Sequence, residues 1–288
     1  MKEDRRRSNQ SSHVFSIDVE DWYQGIEIPM DRWDGFERRV TDSMRRLLDL
    51  METYDVTATC FVLGKVAEEH PGLVQRIHEA GHEIATHGYS HAKVYDLTPE
   101  RFRRELRRSI DLLQKLTGTS VQGHRAPYFS ITEDSLWALD VLAEEGICYD
   151  SSIHPVLNWR YGIPDANRTP SRINTPNGEQ LLEVPVSTYP LPKVNVPCGG
   201  GAYLRIYPYW LQRTFLRRLE DRGEHVGLYV HPWEVDPDHP RLDLPFRVSA
   251  AHYWNLEPTL SKLERLFQDF AFRPYRDAFT EELEGLTE

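Results

Sequence analysis

Short apolar runs alternate along the chain with longer segments whose apolar positions recur every three or four residues. That alternation predicts βα units built around a mainly parallel sheet or barrel. The strand-like runs are His13 to Val19, Ala58 to Val62, Glu83 to Thr86, Leu181 to Val186 and His225 to Val230. Each lies close to a polar or charged cluster, and those ends are where chemistry would sit. Helix-like segments fall between them, at Phe36 to Tyr54, Lys65 to Ala80, Pro99 to Thr117 and Asp134 to Glu145. The third opens with Thr98, Pro99 and Glu100, a cap residue, a first-turn proline and an early acid, and places Phe102, Leu106, Ile110 and Leu113 on one face.

From about Leu157 to Gly201 the chain becomes rich in Pro, Asn, Gly and Thr and reads as an elaborated loop region over the site, with strand-like fragments. Gly199-Gly200-Gly201 lacks the lysine and spacing of a phosphate cradle and reads as a backbone turn. A last helix is predicted over Leu256 to Asp269, with Leu260, Leu263 and Phe267 on one face.

The length of 288 residues, with 40% hydrophobic and 27% charged content, suits one large α/β domain. Residues 1–12 read as a flexible leader, 13–288 as a single domain, and about 157–288 as its C-terminal elaboration. A formal charge of −11 argues against a nucleic-acid partner, because phosphate backbones reward clustered Lys and Arg. Arg5, Arg6 and Arg7 are followed by no apolar signal-peptide core, so the chain reads as cytoplasmic. No run approaches the roughly eighteen consecutive apolar residues of a membrane span. Cys60, Cys148 and Cys198 show no paired spacing and read as buried thiols.

Four clusters carry candidate chemistry. In Ser16-Ile17-Asp18-Val19-Glu20-Asp21-Trp22, strand alternation turns Asp18 and Glu20 to one face and Val19 to the other. Two acids so close resist joint ionisation unless a cation neutralises one or one stays protonated. In Thr86-His87-Gly88-Tyr89-Ser90-His91, two imidazoles four residues apart fit one helical turn and can converge on a metal. Two His and one acid leave positions open for water and substrate. In His124-Arg125-Ala126-Pro127-Tyr128, the Arg is placed to orient a carboxylate and the Tyr128 amide to meet a developing oxyanion. In Leu228 to Glu234, an apolar strand ends in His231, placed to protonate a leaving group beside an aromatic wall.

Taken in order, these clusters resemble the polysaccharide deacetylases with the NodB homology domain, the carbohydrate esterase group that includes chitin and peptidoglycan deacetylases. The matching series runs from Asp18-Val19-Glu20-Asp21 through His87-x-x-x-His91, Arg125-x-Pro127-Tyr128 and Tyr149-Asp150-Ser151-Ser152 to His231. The resemblance implies a distorted (β/α) barrel with elaborated loops and a divalent metal, zinc first, with cobalt, nickel or manganese as alternatives. It further implies Asp18 as base, Arg125 as its support, Tyr128 as oxyanion donor, His231 as general acid, and His87 and His91 as ligands. The two acids are not adjacent here as in the commoner Thr-Phe-Asp-Asp pattern, so Glu20 or Asp21 completes the ligand set, and strand alternation favours Glu20. Asp150 lines the groove by the same likeness, and Trp22, Tyr23, Trp159, Tyr203 and Trp233 offer faces for sugar stacking.

Asp18 to Tyr23, Glu183 to Ser187, Gly199 to Arg205 and His231 to Glu234 resemble one branch, the deacetylases of exosortase (PEP-CTERM) exopolysaccharide clusters. The substrate implied is an acetylated poly- or oligosaccharide, N-acetyl before O-acetyl. Action at the inner face of the membrane follows, beside a membrane-bound exopolysaccharide assembly. Two other readings stand beside it: a sugar-binding scaffold of the same fold without catalysis, and an amidohydrolase of small molecules.

Overall fold

The computed structural model describes residues 13–158 and 160–286; the leader over 1–12 and the stacking candidate Trp159 lie outside the described residues. Among the described residues there are ten strands: β1 (Val14–Val19), β2 (Thr59–Val62), β3 (Glu83–Thr86), β4 (Gly123–His124), β5 (Tyr149–Asp150), β6 (Ser171–Asn174), β7 (Gln180–Glu183), β8 (Thr188–Leu191), β9 (Val194–Pro197) and β10 (Gly227–Val230). Eight of them form one sheet in the order β10-β1-β2-β3-β4-β5-β7-β6, with β8 and β9 paired apart. All neighbours in the large sheet run parallel except β6 and β7. The result is a curled half-barrel, mainly parallel as the βα alternation predicts.

The free side of β10 completes the curl. Ser187 N–H donates to the Gly227 carbonyl at 3.1 Å, Tyr229 N–H to Gly199 O at 2.8 Å, and Gly201 N–H to Tyr229 O at 3.2 Å. The glycine run is the backbone turn expected of it. A Cβ on Gly200 would lie 1.9 Å from the Tyr229 carbonyl oxygen, and its φ of +131° is one that other residues rarely adopt.

The helices are α1 (Val40–Thr53), α2 (Gly64–Glu69), α3 (Pro71–Glu79), α4 (Pro99–Thr117), α5 (Trp137–Glu144), α6 (Ala202–Ile206), α7 (Tyr209–Glu220), α8 (Phe246–Tyr253), α9 (Thr259–Asp269), α10 (Tyr275–Ala278) and α11 (Thr280–Glu284). The α4 segment matches its prediction: Thr98 accepts the Arg101 amide and Gly118 ends the helix at φ 72°. The helix predicted over Lys65 to Ala80 is instead two, because Pro71 lacks the N–H that would continue the first. Among the described residues no helix is long and apolar enough to cross a membrane.

Alternation along β1 divides two cores. Phe15, Ile17 and Val19 face the large core shared with the helices. Val14 faces a smaller one inside the curl, with Phe61, Ala85, Tyr149, Leu182, Val184, Tyr275 and Phe279. The C-terminal helix α10 therefore closes the bottom of the curl, leaving the C-terminal strand ends as its open mouth. Cys60 and Cys198 are buried as expected, whereas Cys148 is half-exposed.

Candidate active site

At the mouth, strands β1, β3, β4 and β10 are each followed directly by a polar residue, Glu20, His87, Arg125 and His231, the place where parallel α/β barrels gather their reacting groups. Asp18 points inward from β1. The strand stops at Val19, and the Glu20 amide turns back to the Asp18 carbonyl at 3.0 Å. A tight turn rather than continued pleating thus brings both acids to one side.

Glu20, His87 and His91 are buried, and their donor atoms all lie within 4.8 Å of one another. His91 Nε2 stands 2.5 Å and His87 Nε2 3.9 Å from Glu20 Oε2. That oxygen nevertheless accepts no hydrogen bond. A buried carboxylate oxygen facing two imidazole nitrogens without a bonding partner is a donor set suited to a divalent cation with open positions. His87 Nδ1 lies 2.8 Å from the Arg125 carbonyl. A carbonyl can only accept, so the proton is on Nδ1 and Nε2 keeps its lone pair for a metal. Burial pushes His87 down to about 4, which keeps it neutral. The two histidines do not share a helical turn. They sit on the loop after β3, and His91 reaches Glu20 from a left-handed backbone, φ 56°, a strain of the order of 1 kcal/mol that marks functional positions.

Arg125 is fully buried. Its Nη1 donates to Asp18 Oδ1 at 2.7 Å and to Ser16 Oγ at 2.9 Å, holding the carboxylate in place. Tyr128 also has a left-handed backbone, φ 57°, and lines the cavity of about 150 Å³ that Asp18, Glu20, His87, His91 and His231 share. A second cavity of about 330 Å³, lined by Ile28, Trp33 and Lys93 among others, shares His91 and Tyr128 with the first.

His231 enters from β10, with Nε2 3.9 Å from Asp18 Oδ2 and 3.8 Å from Glu20 Oε1. Its Nδ1 is 2.8 Å from Glu234 Oε1, and Glu234 Oε2 accepts from Arg205 Nε at 2.6 Å. Burial alone would lower the His231 pKa; the carboxylates of Glu234, Glu20 and Asp18 outweigh it and raise it to about 9. The imidazole therefore holds a proton at neutral pH.

Other expectations need correction. Asp21 does not join the donor set: its carboxylate accepts the amides of Trp22, Arg39 and Val40 and so caps α1. Burial raises its pKa to about 6 against those three bonds. Asp150 is buried and lines no groove; its carboxylate accepts hydrogen bonds from His124 Nδ1–H and from the Ser152 hydroxyl, each at 2.7 Å, and Ser152 in turn accepts the Ala126 amide. It thereby shapes the Arg125–Tyr128 turn from behind. Trp22 and Tyr23 are each 1% exposed and offer no face to a sugar. Tyr203 does not line the cavity and reaches it through Tyr161, with which it interacts. Trp233 does line it.

The sequence reasoning passed over Gly25, Phe129, Tyr161 and Tyr229, which also line the cavity. Tyr229 was open to discovery, because it precedes His231 by two residues and strand alternation turns both inward. Gly25 carries no such signal; the approach of the Glu20 side chain requires it.

A curled parallel sheet thus gathers buried acids, imidazoles and an arginine at its mouth, a centre of carboxylate and histidine groups. Residues 33–145 match the family model described as polysaccharide deacetylase, and the chain carries a polysaccharide deacetylase domain. Residues 151–280 match a model described as a domain of unknown function. The first match contains His87, His91, Arg125 and Tyr128; Asp18 and Glu20 precede it and His231 falls in the second.

A peptidoglycan-N-acetylglucosamine deacetylase from Bacillus cereus is 29% identical over 147 residues, 47% of this chain and 52% of that protein. A peptidoglycan deacetylase-like protein from Gibberella zeae is 33% identical over 216 residues, 67% of this chain and 63% of that protein. The chain thus spans only about half to two thirds of these relatives. The crystal structure of a protein assigned as a polysaccharide deacetylase from Mycobacterium smegmatis superposes with a TM-score of 0.61 at 20% identity, covering 95% of this chain and 89% of that one. At that identity the likeness establishes the fold.

Proposed function

We propose that this protein is a metal-dependent hydrolase that removes acetyl groups, N-acetyl in preference to O-acetyl, from a polysaccharide or lipid-linked oligosaccharide. The observation that carries the reading is the convergence of Glu20 Oε2 with two imidazole Nε2 atoms, beside an arginine-held Asp18 and a carboxylate-held His231. Glu20, His87 and His91 would hold the cation, with zinc the first choice and cobalt, nickel or manganese as substitutes. A cation bound there polarises a carbonyl and makes water acidic enough to attack near neutral pH. Asp18, fixed by Arg125, takes the proton of that water. The Tyr128 backbone N–H meets the oxygen on which charge develops. His231 delivers its proton to the departing amine, and Glu234 keeps the ring turned to do so. Trp233 offers an apolar wall to the sugar.

The unit that works is residues 13–288 as a whole, a reading supported by β7 and β10, which lie within 151–280, pairing with β5 and β1, which precede it. The branch motifs at Asp18 to Tyr23, Glu183 to Ser187 and His231 to Glu234 support a place in exopolysaccharide biosynthesis, beside a membrane-bound assembly. The test is a pair of variants assayed for metal content and acetate release. His87→Ala loses the metal and activity together, whereas Asp18→Asn keeps the metal and loses turnover by about 100-fold or more. Full turnover in Asp18→Asn removes the base assignment. Metal-loaded wild type that releases no acetate from acetylated oligosaccharides favours the sugar-binding scaffold instead.

A further inference from the structure

Arg125 has five N–H donors, and each has an acceptor. Nε donates to Ser151 O at 3.2 Å, Nη1 to Ser16 Oγ and Asp18 Oδ1, and Nη2 to Ser151 Oγ and to the Tyr275 hydroxyl, both at 2.9 Å. Four of these partners come from strand ends at the mouth or just behind it. The fifth comes from the far end of the chain: Tyr275 belongs to α10, which rises into the curl from below.

Several contacts fix Tyr275 there. It is fully buried, its ring stacks on Tyr149 at 5.4 Å and 16°, and the edge of Phe61 meets it at 5.6 Å. Its backbone N–H donates to Thr59 Oγ1 at 2.8 Å. The polarity of the bonds is settled by Ser151, whose hydroxyl donates to Val184 O at 2.7 Å and so accepts from its other neighbours. The Tyr275 oxygen accepts from Arg125, and its proton points to Ser151 Oγ, 3.3 Å away.

From this arrangement we infer that Tyr275 is a positioning residue for the proposed hydrolysis: its hydroxyl fixes the Arg125 guanidinium, which fixes Asp18. The inference rests on the deacetylase reading, in which Asp18 is the base. It gives a second residue of the segment 151–280, besides His231, a task at the centre. A guanidinium missing one buried acceptor turns to satisfy that N–H elsewhere, and the rotation is passed to the Asp18 carboxylate bonded to its other amino group.

The experiment uses the full chain loaded with zinc, a chromogenic acetate ester and an N-acetylglucosamine oligomer as substrates, and three variants. Tyr275→Phe keeps both ring stacks and removes only the oxygen; kcat is expected to fall about 10-fold with KM and metal content unchanged. Phe279→Leu loosens the same C-terminal packing without touching Arg125; Tm is expected to drop while kcat stays at the wild-type value. Arg125→Lys removes the shared partner, and in that background Tyr275→Phe is expected to cost no further rate, because both changes sever one path. An unchanged kcat in Tyr275→Phe overturns the inference, as does an equal kcat loss in Phe279→Leu. If Tyr275→Phe does not fold, Ser151→Ala, which removes the neighbouring acceptor on the same Nη2, is read by the same criteria. Wild type that hydrolyses neither substrate overturns the deacetylase reading and this inference together; an active wild type with an unaffected Tyr275→Phe overturns this inference alone.

Discussion

Trp233 donates its indole N–H to Glu20 Oε1 across 3.2 Å, tying the turn that follows His231 to the acid that faces His87 and His91. The indole also lies between two imidazoles, 5.0 Å from His231 and 4.1 Å from His252. It is therefore both a wall of the cavity and a support for one oxygen of Glu20. Trp233→Phe keeps an aromatic wall and removes the donor. Because partners of metal ligands orient them, zinc affinity measured by chelator competition should weaken about 10-fold. Equal affinity in the variant would show that Glu20 needs no such support.

The same carboxylate sets a limit on its other side. A Cβ on Gly25 would stand 2.6 Å from Glu20 Oε1 and 3.7 Å from Trp233 Nε1. Gly25→Ala must therefore push the Glu20 head group aside or move the loop that follows β1. Bound zinc per chain should fall in the variant, with Tm of the metal-free protein close to wild type. Normal zinc content would mean that the loop yields instead.

How much of this was legible in the sequence depends on whether a residue's task is local. Thr98, Pro99 and Gly118 act within their own helix, and α4 begins and ends where they place it. Asp18 and Glu20 share a side as expected, although a turn at the strand end does what alternation alone was expected to do. Asp21 misleads because its partners, the amides of Arg39 and Val40, are 18 and 19 residues away, and nothing in the acid itself announces a distant cap. Asp150 misleads similarly: an acid next to two serines at a strand end looks exposed until β4 and β7 close over it on either side. Tyr275 was silent because its contact with Arg125 spans 150 residues.

Glu234 offers a test of the proton on His231. Its own pKa is pushed up by burial but brought down to about 2 by Arg205 and His231, so it is ionised throughout the working range. Its hydrogen bond is the leading influence that raises His231, and its charge adds to that of Glu20. In Glu234→Gln the imidazole loses the charge and keeps a hydrogen-bonding neighbour, so it releases its proton at lower pH. A general acid must be protonated to act, and the alkaline limb of kcat/KM should move toward lower pH, with the acid limb in place. An unmoved alkaline limb would assign that limb to another group.

Acid stability follows from a histidine outside the site. His82 is buried, and its Nδ1 accepts the Ala58 amide at 3.2 Å, a bond that only the neutral ring can make. Burial first, and the nearby Arg276 charge second, lower its pKa from 6.5 to about 4. In the unfolded chain the ring takes up a proton near its ordinary value; in the fold it resists until much lower pH. The native state is thus unaffected by this group above that ordinary value, and loses stability progressively as pH falls from there toward about 4. The full loss is worth about 3 kcal/mol at that order of magnitude. His82→Asn places an amide oxygen near the position of Nδ1 and cannot titrate. Urea midpoints measured near neutral pH and at about pH 5 should therefore differ less in His82→Asn than in wild type. Parallel losses in the two proteins would transfer the acid sensitivity to other buried rings, among which His225 is likewise held down to about 4 by burial.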